Sequence, residues 1–151
     1  MYTGFMHMHS MLRWLLLAVL LYTVITSIIG WKQNKPYTKG HGKLVFYTVL
    51  IAHLQLIIGF VLYFMGPWAS ALTQMGETMK QPITRFFAVE HLVGMLIAIA
   101  LITIGSARAK RAANDATRYK TVATLFGIAL LLILLSIPWP FREAGLGRGW
   151  F

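Results

Sequence analysis

Cysteine is absent from this chain. That excludes disulfides, thiolate metal sites, iron–sulfur clusters and covalent attachment of a c-type haem. Any redox chemistry must therefore rest on histidine or on a non-covalently bound cofactor. Acidic residues are nearly as scarce, with 4 Asp and Glu against 14 Lys and Arg. Charged residues make up only 12% of the chain while 58% is apolar, far from the roughly 25% charged and 45–50% apolar of soluble domains. There is no nucleotide-binding motif and no segment long and polar enough to form a soluble catalytic domain.

The net charge of +10 would point to nucleic acid in a soluble protein. Here the basic residues lie between apolar runs, where Lys and Arg fix membrane orientation and touch anionic lipid, so no nucleic-acid partner is implied. A bilayer core needs roughly 20 apolar residues per helix. The 151 residues accommodate four such spans with short connections, forming one transmembrane domain over 1–151. The expected spans are 4–30, 44–65, 83–105 and 121–138. Gly66-Pro67 stops the second, Pro82 suits the start of the third, and Pro138-Trp139-Pro140 closes the fourth. The first run is longer than a signal-peptide core of roughly 7–15 residues and lacks a basic leader and cleavage site, so it is expected to remain as a helix. The expected fold is all-α, an up-down-up-down four-helix membrane bundle.

Lys32, Lys35, Lys39 and Lys43 fall between spans one and two, and Arg108, Lys110, Arg111, Arg118 and Lys120 between three and four, nine of the 14 basic residues. The positive-inside rule makes that side cytoplasmic and puts both termini outside. Trp68, Trp139, Trp150 and Phe151 then form an outer interfacial belt and Trp31 marks the inner one. Residues 69–80, with Leu72, Met75 and Met79 at spacings of three and four, read as a short amphipathic helix on the outer surface.

Ionisable residues inside a bilayer are costly and point to function. They are His9 and Arg13 in the first span, His53 in the second, and Arg85, Glu90 and His91 in the third, with Gln55 as a polar companion. At about 1.5 Å of rise per residue, His9, His91 and His53 lie roughly 8, 12 and 18 Å below the outer end. Facing imidazoles on separate helices are what a b-type haem uses as axial ligands, and a four-helix core is a usual place for it. His91 with His53 is the favoured pair and His9 the reserve, because helices two and three are consecutive. Gly94 and Ala98 beside His91 leave room for a macrocycle, Phe46, Val49, Leu56 and Phe60 line the face of His53, and Arg13 and Arg85 suit haem propionates. Glu90 is expected to pair with Arg13 or Arg85.

Two other readings stand beside it. Membrane histidines also bind helices together by hydrogen bonding, which would make this a cofactor-free accessory or assembly subunit. The stretch Phe5-Met6-His7-Met8-His9-Ser10-Met11 offers thioethers and imidazoles of the kind that suit Cu(I) on the outer face. A transporter is disfavoured, since the spans lack an inverted repeat.

On His7-Met8-His9-Ser10-Met11-Leu12-Arg13-Trp14, Ala52-His53-Leu54-Gln55-Leu56, Arg85-Phe86-Phe87-Ala88-Val89-Glu90-His91 and Ile137-Pro138-Trp139-Pro140-Phe141-Arg142, the chain resembles the short four-span bacterial membrane proteins labelled cytochrome B-like. Gln55-Leu56-Ile57-Ile58-Gly59 is also similar to the four-span halves of haem A synthases, of which this chain has the length of one. The resemblance implies haem b. On the haem reading the chain is a bacterial inner-membrane electron-transfer protein working with a quinol or another membrane redox partner, with a homo-oligomer or a larger membrane complex as candidate assemblies, rather than a stand-alone enzyme.

Overall fold

Four long apolar helices account for most of the computed structural model, which describes residues 1–146. Helix α1 spans Tyr2–Lys32, α2 Lys39–Met65, α3 Pro82–Arg111 and α4 Asp115–Ser136, each long and apolar enough to cross a bilayer. The helices run past the apolar stretches that identify them. Thr38 caps α2 by accepting from the His41 N–H at 3.1 Å, so the helix begins five residues before Leu44. Asn114 does the same for α4 by accepting from Thr117 N–H at 2.8 Å. Such caps satisfy orphan N–H groups of the first turn. At the other end of α1 the chain reverses through Asn34, whose φ of 48° is a left-handed conformation that asparagine tolerates.

Connections of a few residues at 33–38 and 112–114 make consecutive helices antiparallel. Around the bundle, α1 packs against α2 and α4, and α3 packs against α2 and α4. The α3–α4 seam is the most extensive and the α2–α3 seam the thinnest. Side chains facing the axis recur at three- and four-residue steps: Leu16, Leu20, Thr23 and Ser27 on α1, Val45, Thr48, Ala52 and Gln55 on α2, Ala98, Ile102, Gly105 and Ala109 on α3, Val122, Phe126, Ala129 and Ile133 on α4. The outward faces are apolar too, with Ile57, Leu131 and Leu135 at 59%, 62% and 69% exposure. A helix apolar all round belongs in lipid.

Few hydrogen bonds cross the axis, and they are polar pairs typical of membrane helices. The Thr23 and Thr48 hydroxyls meet at 2.8 Å. Ser27 Oγ lies 3.0 Å from Nε2 of His41, in the first turn of α2. The segment expected as one amphipathic helix over 69–80 is instead broken into Trp68–Ala71, a 3-10 turn at Leu72–Gln74, and Met75–Thr78. Gln74 leaves helical geometry at φ −127°, ψ 52°, and the Thr78 hydroxyl donates back to Ala71 O at 2.7 Å, folding the pieces on each other. Trp68 packs on Phe87, and Trp14 on Trp139, at this end. Trp150 and Phe151, expected in the same belt, lie outside the described residues.

Candidate functional site

The axis-facing stripes of the four helices lead, at the end remote from the basic loops, into a cavity of about 400 Å³. That volume lies in the usual range for small-molecule and cofactor sites, roughly 300–1,000 Å³. His9 and Arg13 of α1, Gln55, Gly59 and Tyr63 of α2, and His91 and Met95 of α3 all line it. Isoleucines of α3 and α4 supply apolar wall, and Trp68 and Phe87 close it from the loop side.

His9 and His91 meet across it. Their ring centroids are 6.4 Å apart with an interplanar angle of 69°, although α1 and α3 are diagonal in the bundle. Both positions continue the buried stripes, since His9 is one heptad above Leu16 and His91 one heptad above Ala98. His91 is oriented from α4: its Nδ1 lies 2.7 Å from Ser136 O. A carbonyl only accepts, so Nδ1 carries the proton and, in the neutral ring, Nε2 keeps its lone pair. Gly94, one turn below, makes this contact feasible. A Cβ there would run into Ser136 Oγ, so glycine lets α3 and α4 approach closely enough for His91 to reach the last turn of α4.

On the other wall, Gln55 Nε2 donates to His9 O at 3.0 Å, tying α2 to α1. A Cβ at Gly59 would sit 3.3 Å from His9 Cε1, so the missing side chain is what admits the imidazole. The His9 Nδ1 is buried with no hydrogen-bond partner among the described residues. Buried polar atoms left unpaired cost about 1–3 kcal/mol, and at the wall of a cavity such an atom is a candidate ligand-binding group. Arg13, one turn deeper, supplies a cation to the same wall and lies 5.5 Å from the Trp14 ring centroid.

Immediately before His91 the helix widens. Phe86–Glu90 forms a π-helical turn, and the Tyr63 hydroxyl donates to Ala88 O at 2.9 Å. One-turn π segments of this kind occur often at functional sites. The rings of Phe86 and Phe87 pack at 6.0 and 6.4 Å from that of His91.

The remaining expected site residues lie elsewhere. His53 is not part of this cavity. Its Nδ1 donates to Val49 O at 2.8 Å and its Nε2 is 3.5 Å from the Thr103 hydroxyl, on the α2–α3 seam. Thr103 is twelve residues along α3 from His91, roughly 18 Å of helix rise, so His53 and His91 do not face each other. The reason is helical phase: the axis-facing stripe of α2 passes through Ala52 and Gln55, which turns His53 about 100° away from it. Gly94 packs against Ser136 instead of opening space for a macrocycle. Arg85 is at the surface, where its Nε donates to Glu90 Oε1 at 2.6 Å. Met95 and Ser136 are not marked by the sequence, and Gly59 enters there only as the end of the Gln55-Leu56-Ile57-Ile58-Gly59 stretch. The small and polar series His41, Thr48, Ala52, Gln55, Gly59, spaced by three, four and seven, is the signal that marks the inner face of α2 and leads to Gly59.

Among the described residues no group of three or more His, Cys, Asp or Glu is placed to hold a bare metal ion. No family model, curated protein or solved structure matches the chain.

Proposed function

We propose that the protein is a membrane b-type cytochrome in which His9 and His91 are the axial ligands of one haem, passing electrons between a quinol or other membrane partner and an acceptor on the side of the cavity. The observation that carries this reading is the 6.4 Å separation of two imidazoles across a cavity of about 400 Å³. Two imidazoles this close, brought to one cavity from separate helices, are the pair that would hold the iron of a haem bound there. Two protein ligands are too few for a bare ion but suffice for an iron whose equatorial positions a porphyrin fills.

The chain's own groups fit the parts of such a cofactor. The Nδ1–H of His91 on Ser136 O fixes its tautomer and ring plane, the usual device for a ligating histidine. The buried Nδ1 of His9 lacks any competing partner among the described residues. Arg13 is a cation in the lining of the cavity and would hold a propionate. When bound, haem supplies one-electron redox chemistry.

A copper site is the second reading, because Met6, His7 and Met95 line the same cavity as the two ring ligands and thioether with imidazole suits Cu(I). Substitution separates the readings. His9→Ala and His91→Ala should each remove low-spin haem from protein that still elutes as a folded helical species, whereas His53→Ala should retain it. Loss in His53→Ala with retention in His9→Ala would refute the assignment, and bound copper without haem in the wild type would select the second reading.

A further inference from the structure

The opposite end of the bundle, where the basic loops lie, holds a second pocket of about 190 Å³ between the first turns of α2 and the last turns of α3. Its walls are Tyr37, Gly42, Val45, Ser106, Ala109, Lys110 and Arg118. None of them is acidic. Tyr37 is a fixed part of the wall: its N–H donates to Asp115 Oδ2 at 3.0 Å, and its ring packs on His41 and Tyr119 with centroids 5.1 and 4.9 Å away.

The guanidinium of Arg118 lies over the Tyr37 ring at 5.6 Å. Its closest carboxylate contact is a loose one, 3.7 Å from Nη1 to Asp115 Oδ1, and Asp115 already spends its other oxygen on Tyr37. Arg118 Nε is buried with no hydrogen-bond partner among the described residues. The side chain as a whole is 36% exposed, so the guanidinium stays charged and within reach of solutes while this one N–H is left open to an acceptor that enters the pocket. Lys110 stands exposed on the rim, Ser106 is buried in the wall, and the positive end of the α2 dipole adds to the field.

We propose that this pocket binds a phosphate group, carried by the headgroup of an anionic phospholipid or present as free phosphate. The cations are what a tetrahedral dianion or a phosphodiester needs, the planar fork of Arg118 for paired oxygens and the ammonium of Lys110 as a point charge, with Tyr37 and Ser106 among the residues of the wall. Basic pockets between transmembrane helices are a known class of lipid-headgroup site. The apolar outer faces of α2 and α3 continue from the pocket toward the bilayer centre, with Leu50 and Ile104 exposed on them, and give acyl chains a surface to follow.

The test is thermal unfolding of the purified full chain in mild detergent with three probes: phosphatidylglycerol, phosphatidylcholine, and inorganic phosphate without lipid. Phosphatidylglycerol should raise the midpoint more than phosphatidylcholine does. Lys110→Gln and Arg118→Gln should each raise the half-saturating concentration by about tenfold or more, while Arg111→Gln, which removes the same charge one residue away and outside the wall, should leave it unchanged. Because Arg118 also packs on Tyr37, the exposed Lys110 carries the comparison if Arg118→Gln fails to fold. A Lys110-dependent shift with inorganic phosphate and none with phosphatidylglycerol assigns the site to free phosphate. Equal loss in Lys110→Gln and Arg111→Gln, or no Lys110-dependent shift with any probe, would overturn the proposal.

Discussion

Enlarging Gly59 moves the His9 ring without altering any ring nitrogen, which isolates geometry from ligand chemistry. A Cβ at position 59 stands 3.3 Å from His9 Cε1, while carbon–carbon contacts are optimal at about 3.5–4.0 Å. Gly59→Ala therefore asks the ring to retreat by roughly 0.2–0.7 Å. A β-branched side chain extends about another bond length, so Gly59→Val asks for 1 Å or more. Metal–ligand distances hold to within about 0.2 Å, a tolerance that the alanine variant reaches or passes and the valine variant exceeds several-fold. The expected outcome is graded: reduced haem occupancy in Gly59→Ala, and loss of the low-spin spectrum in Gly59→Val, scored as Soret absorbance per mole of protein at constant far-UV CD. Gly127→Ala, where a Cβ meets nothing closer than Val24 Cγ1 at 3.9 Å, serves as the control and should match the wild type. Helix propensity favours alanine over glycine by about 1 kcal/mol, so unfolding is not the expected route to haem loss in Gly59→Ala. Full low-spin occupancy in Gly59→Val would refute the placement of His9 as a ligand.

Two further outcomes test the frame that holds the site. The Thr23–Thr48 hydroxyl pair should show a coupling of about 0.6 kcal/mol, with 1.7 as the upper end, in a double-mutant cycle to valine followed by unfolding in detergent; a coupling indistinguishable from zero would contradict the 2.8 Å contact. Nine basic residues in and flanking the two short connections, most of them on the adjoining helix ends, predict that a reporter active only in the cytoplasm gives no signal when fused after Phe151, and strong activity there would reverse the orientation.

The fold is legible from hydropathy because a bilayer imposes length and composition on each span, and the breaks at Gly66-Pro67 and Pro138-Trp139-Pro140 fall where the backbone leaves the helix. The ends were less legible: Thr38 and Asn114 start their helices outside the apolar stretch through side-chain caps. In the site, depth below the surface separated the histidines poorly, because depth ignores azimuth. His9 and His91 fall in phase with the buried residues of their helices and His53 does not, a distinction carried by the spacing of small and polar residues around it. The structure brings together His9 and His91 from diagonal helices rather than the expected pair from consecutive ones, since side chains aimed at the axis meet across the diagonal. The π turn at Phe86–Glu90 has no glycine or proline to announce it, and the closeness of Gly94 to Ser136 depends on which helix packs beside α3.

The most direct measurement is the dithionite-reduced minus oxidised visible spectrum of the wild-type chain, produced in haem-replete cells and purified in mild detergent. Ligation by His9 and His91 predicts a Soret band with sharp low-spin b-type bands on reduction, at about one haem per chain. A folded, helical preparation with no Soret band would contradict the account.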